Sequence, residues 1–387
     1  MSPHAFDCPE ADRLVDDALR AIGAEIDALR IPRLLGVVLG GGYARGEGGV
    51  VLEGSKVQKF EGLKVPDPEP ANAREAGFEP SNFRTAEGRV APFRLSNDLD
   101  FYVVAEDGAS GAELATIAAA LRPVSEKWTA ALGVDVDFSP PKTPWRISHD
   151  AERLMIQELI HGYCDVAGKP GAELFADVPR RPPEALPFLE AVRLLVNRGA
   201  GLLLAASAAR GSKVPMFASS HVPGPLSEPS NLRTFEPLNG DESSGFVARN
   251  VNKCILGCGD ARLIAEGRYR WRATDRADAL ADDLYRAAVQ WKFRPRPEPP
   301  CDWEAARKLW LETVDSCEPV NGARSAPFRR SPRAAARWLA RRRSLGPAPL
   351  ATLGLDPLVR ILRAMRPLVR DRKPFPDSLR RDWEVFN

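Results

Sequence analysis

Asp98 and Asp100 stand two residues apart in "NDLDFYVV", an alternating stretch rich in aromatic and β-branched residues that reads as a strand. Positions i and i+2 of a strand leave the same face, so the two carboxylates are pressed together. Like charges that close repel and cost stability unless something positive bridges them, and a divalent cation is the simplest bridge. "VDVDFSP" repeats the pattern with Asp135 and Asp137 on a second expected strand. Three carboxylates from two neighbouring strands can hold a pair of Mg²⁺ (or Mn²⁺) ions, hard cations that prefer carboxylate and phosphate oxygens. The spacing leaves open which of Asp135 and Asp137 would be the third. Upstream, "VVLGGGYARGEGGV" at residues 37–50 breaks from an apolar run into six glycines, with Arg45 and Glu47 among them. Glycine permits positive φ and close approach to bare amides, so Gly41 and Gly42 can cradle a phosphate. A phosphate cradle beside paired metals is the equipment for phosphoryl or nucleotidyl transfer.

These groups need a scaffold. Apolar residues recur at helical spacing over 10–30, Pro32 stops them, and residues 34–39 read as a buried strand leading into the glycines. Residues 49–94 are irregular and proline-dotted; a strand is expected over 98–104. A helix follows over 110–132, kinked or split at Pro123, then a strand over 134–140. A short helix after Asp150 leads to a turn near 168–170. Helical patterns dominate the second half, at 183–209, 245–267, 275–289, 303–313, 332–343 and 357–365. The expected fold is α+β: a small mixed sheet with flanking helices over 1–179, interrupted by an insertion at about 49–95, then an all-helical domain over 180–387.

Bulk properties agree with such a chain. A length of 387 residues exceeds what a single core usually supports, which favours two domains. The net charge of +2 excludes a strong polyanion-binding character for the molecule as a whole. Six cysteines without a CxxC pair fit reduced thiols, and Cys254 and Cys258, one helical turn apart, are expected to pack in a core. No stretch looks like a secretion signal or reaches membrane-spanning length, so a cytoplasmic protein is expected.

The arrangement resembles the nucleotidyltransferase superfamily of DNA polymerase β, kanamycin nucleotidyltransferase and the adenylyltransferase of glutamine synthetase. "GGYARGEG" is similar to the "GSYGRGE" form of many bacterial members, and "NDLDFYVV" supplies the Asp-x-Asp strand. "VDVDFSP" resembles "VDLRLRP", which puts the third carboxylate on Asp135 and leaves Asp137 at a position that is basic in the adenylyltransferase. The resemblance implies that Asp98, Asp100 and Asp135 are catalytic metal ligands and that an NTP lies on Gly41 and Gly42. An acceptor hydroxyl of a small molecule or protein would then displace pyrophosphate. Arg45 would bind phosphate or simply pair with Glu47. Lys253, in "RNVNKCILGCG", would reach the nucleotide as helical-domain lysines of the superfamily often do, or stand as an exposed helix lysine. Where the superfamily has a short turn before Asp-x-Asp, residues 43–97 intervene here, an insertion expected outside the sheet near the mouth of the site. An RNA-directed transferase using the arginines of 324–343, and an inactive nucleotide-binding protein, are the alternatives.

Overall fold

Residues 34–39, LLGVVL, are apolar without a break between Pro32 and Gly40, the pattern of a strand buried on both faces. The structure, a computed structural model that describes residues 4–52, 93–209, 240–317 and 357–386, makes them β1 (Leu34–Leu39). Antiparallel neighbours β4 (Leu99–Ala105) and β6 (Cys164–Gly168) flank β1, and β5 (Val136–Phe138) runs parallel to β4, in the order β5-β4-β1-β6. The fold is thus α+β around a small mixed sheet.

Alternation sorts the side chains of this sheet. Val37, Leu39, Phe101, Val103, Val136 and Phe138 share one core with α1 (Pro9–Ala28) and α3 (Gly111–Leu132). Val38 and Val104 turn the other way, into a core with α4 (Pro144–His149), α5 (Leu154–His161) and α6 (Gly171–Leu174). Gly23 lets α1 lie directly on β6, since a Cβ there would sit 2.1 Å from the Val166 carbonyl oxygen.

Several boundaries depart from expectation. β4 begins at Leu99 and β5 is confined to Val136–Phe138, so Asp98 and Asp135 lie just ahead of their strands. α3 opens on a Ser110–Glu113 capping box and runs unbroken past Pro123. Leu121, Val124 and Trp128 bury on both sides of that proline, and this packing outweighs the one backbone hydrogen bond it removes. α4 and β6 were not expected; "CDVAG" is short and broken by Asp165 and Gly168, too little for a period to show.

The expected irregular stretch has ordered ends. β2 (Val50–Leu52) and β3 (Phe93–Leu95) pair antiparallel from Val50↔Leu95 to Leu52↔Phe93, while the rest of the insertion, 53–92, lies outside the described residues. Leu52 opposite Phe93 is the register a two-residue turn closes. Replacing 53–92 by Asn-Gly is therefore expected to leave a folded protein with β2 and β3 still paired. Unfolding of the shortened chain in a thermal scan would show that 53–92 contributes to the core.

The described residues divide into two units, one running up to Arg180 together with Lys292–Arg296, the other holding the remainder. Every described element of the second unit is helical: a 3₁₀ turn (Pro183–Ala185), α7 (Phe188–Ala209), α8 (Gly240–Ala265), α9 (Ala273–Leu280), α10 (Asp283–Phe293, its last two residues counted with the first unit), α11 (Trp303–Cys317), α12 (Pro357–Arg370) and α13 (Asp377–Phe386). The single helix expected at 275–289 is two, parted where Ala281 adopts a left-handed φ of 54°. The helix expected at 332–343 and the arginines of 324–343 lie outside the described residues. Trp310 anchors the helical core, its indole N–H donating to the Leu195 carbonyl at 2.8 Å, with Gly199 leaving room for the ring. Cys254 and Cys258 are fully buried, and desolvation pushes the Cys254 thiol well above its ordinary value. Among the described residues no helix is long and apolar enough to cross a membrane.

Candidate active site

The β4–β5 register decides how the carboxylates meet. Leu99 pairs with Val136, Asp100 with Asp137 and Phe101 with Phe138. One residue earlier, the Leu99 N–H donates to the Asp135 carbonyl at 2.8 Å, setting Asp135 beside Asp98. Leu99, Phe101, Val136 and Phe138 are buried on the face toward α1 and α3, so alternation turns Asp98, Asp100, Asp135 and Asp137 to the opposite face. Three of the four are exposed and Asp137 is half-buried. Parallel neighbours lie about 4.8 Å apart, which makes a two-by-two array of acids at the start of both strands.

The glycine turn closes on this array. Gly40 N–H donates to the Asp100 carbonyl at 2.8 Å, and the Tyr102 ring packs where a Gly40 side chain would be. Gly41, at φ +70°, opens the single helical turn α2 (Gly41–Ala44), and a Cβ on it would lie 2.7 Å from Asp100 Oδ2. Tyr43, buried, ties the end of the turn to the Asp-x-Asp segment: its hydroxyl donates to the Gly49 carbonyl at 2.6 Å and accepts from Ser96 N–H at 3.2 Å. Asn97 Oδ1 accepts from Gly49 N–H at 2.5 Å. Burial pushes the hydroxyls of Tyr43 and Tyr102 up, so both stay protonated at ordinary pH.

Cations approach from two directions. Arg45, 11 % exposed in its side chain, lies across Gly162 with Nε 3.8 Å from Glu47 Oε2 and an Nη 3.9 Å from Glu158 Oε2. Lys292 Nζ stands 2.8 Å from Glu47 Oε2. Phe293 stacks on Phe6 at 4.0 Å between centroids, and Arg294 donates to the Asp7 carbonyl, so residues 292–294 are fastened to the N-terminal segment. Nothing in "AVQWKFRP" marks Lys292 as a partner of a glycine turn far earlier in the chain; only the fold shows it. Lys253 is an exposed residue of α8 in the second unit.

No family model, curated protein or solved structure matches this chain. Its chemistry has therefore to be read from the site itself.

Among the described residues no group of three or more histidine, cysteine, aspartate or glutamate side chains converges as a ready metal cage. The donor chemistry nonetheless suits a hard divalent cation: carboxylate oxygens from two adjacent strands on one face. The position of Asp100, hydrogen-bonded through its carbonyl to Gly40 and touching Gly41 with its carboxylate, joins the acid array to the glycine turn.

Proposed function

We propose that the protein is a Mg²⁺- or Mn²⁺-dependent nucleotidyltransferase that moves a nucleoside monophosphate from an NTP to a hydroxyl of a small molecule or protein, releasing pyrophosphate. The supporting observation is the contact of Gly41 with Asp100, which brings backbone suited to phosphate against carboxylates suited to a metal. Asp98 and Asp100, with Asp137 or Asp135 from the neighbouring strand, would hold the cations. Bound metal would supply charge stabilisation at the reacting phosphoryl group and ease deprotonation of the acceptor hydroxyl. The Gly41–Gly42 backbone would take the distal phosphates, and Arg45 and Lys292, steadied by Glu47 and Glu158, would bring positive charge to the turn. The acceptor is not fixed by the fold, since such sites are grafted onto shared scaffolds.

Incubation with each α-labelled NTP, Mg²⁺ and cell extract tests the proposal: label on protein, RNA or a small molecule identifies the acceptor, and no transfer with any nucleotide overturns it. Mg²⁺ with the preferred NTP is also expected to raise the thermal midpoint by mass action. Asp98→Ala with Asp100→Ala should remove the metal-dependent part of that shift, and an equal shift in wild type and double variant would refute the metal assignment.

A further inference from the structure

His4 is 1 % exposed, and both of its ring nitrogens face acceptors. Nδ1 is 3.0 Å from the Tyr43 carbonyl oxygen, and Nε2 is 2.8 Å from Asp16 Oδ1. A neutral imidazole has one N–H and can serve only one of them; the imidazolium serves both. The backbone around the ring is fastened to the same two places. Asp12 Oδ1 accepts from the amides of His4 and Ala5 at 2.6 and 2.7 Å. The His4 carbonyl accepts from Gly48 N–H at 2.9 Å, and Phe6 N–H donates to the Gly48 carbonyl at 3.0 Å. Tyr43 carries the connection onward, through its hydroxyl, to Gly49 and to Ser96, two residues ahead of Asp98.

We propose that His4, protonated on both ring nitrogens, is a positioning residue that clamps the glycine turn to α1 and so holds it in place against the Asp98–Asp100 segment. The clamp is a property of the fold, and only its effect on nucleotide binding rests on the function proposed above.

The groups around the ring are Asp12 and Asp16 on α1, Tyr43 on α2 and Cys164 on β6. Burial works against the charge, but the contacts with Cys164, Asp16 and the Tyr43 carbonyl outweigh it and raise the pKa from 6.5 to about 9. The folded value lies above the unfolded one, so the stabilisation is fully present below about pH 6.5 and is lost as pH rises through about 9.

The test follows the His4 imidazole and the amides of Gly41, Gly42, Gly46, Gly48 and Gly49 by NMR in the full-length protein between pH 6 and 10. In wild type the glycine signals are expected to move with the His4 titration, at one midpoint near 9. Asp16→Asn, which removes the counter-charge while leaving an acceptor, is expected to lower that midpoint by a pH unit or more in a protein that remains folded. His4→Asn offers only an amide in place of the ring and should leave the glycine signals without the titration. Glycine signals indifferent to the His4 titration, or a midpoint unmoved by Asp16→Asn, would overturn the clamp. In the same samples the affinity for Mg²⁺-ATP is expected to fall about tenfold across the wild-type midpoint and to follow it downward in Asp16→Asn. If the glycines titrate as described but Mg²⁺ with none of the four NTPs binds at any pH, the clamp stands and the nucleotidyltransferase reading fails.

Discussion

Asp137→Asn is expected to lower nucleotidyl transfer on the order of a thousandfold or more, with Asp135→Asn far milder and both variants folded. The sequence resemblance points to Asp135, but the strand register sets Asp137 level with Asp100. Asp100 is the carboxylate in contact with Gly41, so a metal shared between the two strands at the glycine turn meets Asp137 first. Asp135 precedes β5, is exposed, and neighbours Asp98 at the outer edge of the array. Each substitution exchanges one oxygen for a nitrogen at constant shape, so a folded protein is expected. The measurement is pyrophosphate release from the preferred NTP, with a thermal scan of each variant alongside. The reverse ranking, Asp135 critical and Asp137 dispensable, would mean that the metal sits at the Asp98–Asp135 edge.

The second large effect is expected at Gly41. An added methyl would meet Asp100 Oδ2 at 2.7 Å and would also sit on a left-handed backbone at φ +70°. The backbone conformation alone costs an L-residue about 1–2 kcal/mol. The carboxylate must swing away from the methyl or the turn must open, and either change separates the two halves of the site. Gly41→Ala should therefore lose only a few degrees in thermal midpoint but a hundredfold or more in transfer rate. Gly46, at φ +73°, supplies the comparison, since Gly46→Ala imposes similar backbone strain at another point of the same turn. Equal losses of rate in both variants would show that strain, and not the Asp100 contact, limits the reaction.

Much of this site could be read before the fold was known, because its parts announce themselves over a few residues. An unbroken apolar run into glycines marks β1 and its turn, and Asp-x-Asp within alternating β-formers marks β4. What stayed hidden depends on through-space partners. The sequence shows two acids in "VDVDFSP" but not that β5 lies parallel to β4 with Asp137 opposite Asp100. It shows Arg45 and Glu47 side by side but not Lys292 or Glu158, which reach them from distant positions. β6 was missed because three residues of strand pattern between Cys164 and Gly168 carry no period, although Gly23 of α1 is shaped to receive it. The break at Ala281 was missed for a different reason: an alanine gives no sign of a left-handed turn, and the contacts of Arg276 and Tyr285 with Asp260, one from each side of the break, are visible only in the fold.

The fastening of Lys292, Phe293 and Arg294 to Glu47, Phe6 and Asp7 has a consequence for synthesis. Translation delivers the chain from its N-terminus, and domains commonly begin folding as they emerge. Here the first unit, nearly all of which precedes Arg180, acquires the lysine beside Glu47 and the ring stacked on Phe6 only when residues 292–294 are made. At roughly 5–20 residues per second that is a delay on the order of ten seconds. During that interval Glu47 lacks one of its cations and Phe6 lacks the ring that covers it. A nascent chain ending near Arg180 should therefore be a ready client for chaperones, and the same cut, made in a gene to isolate the sheet, would give a protein that starts out incomplete.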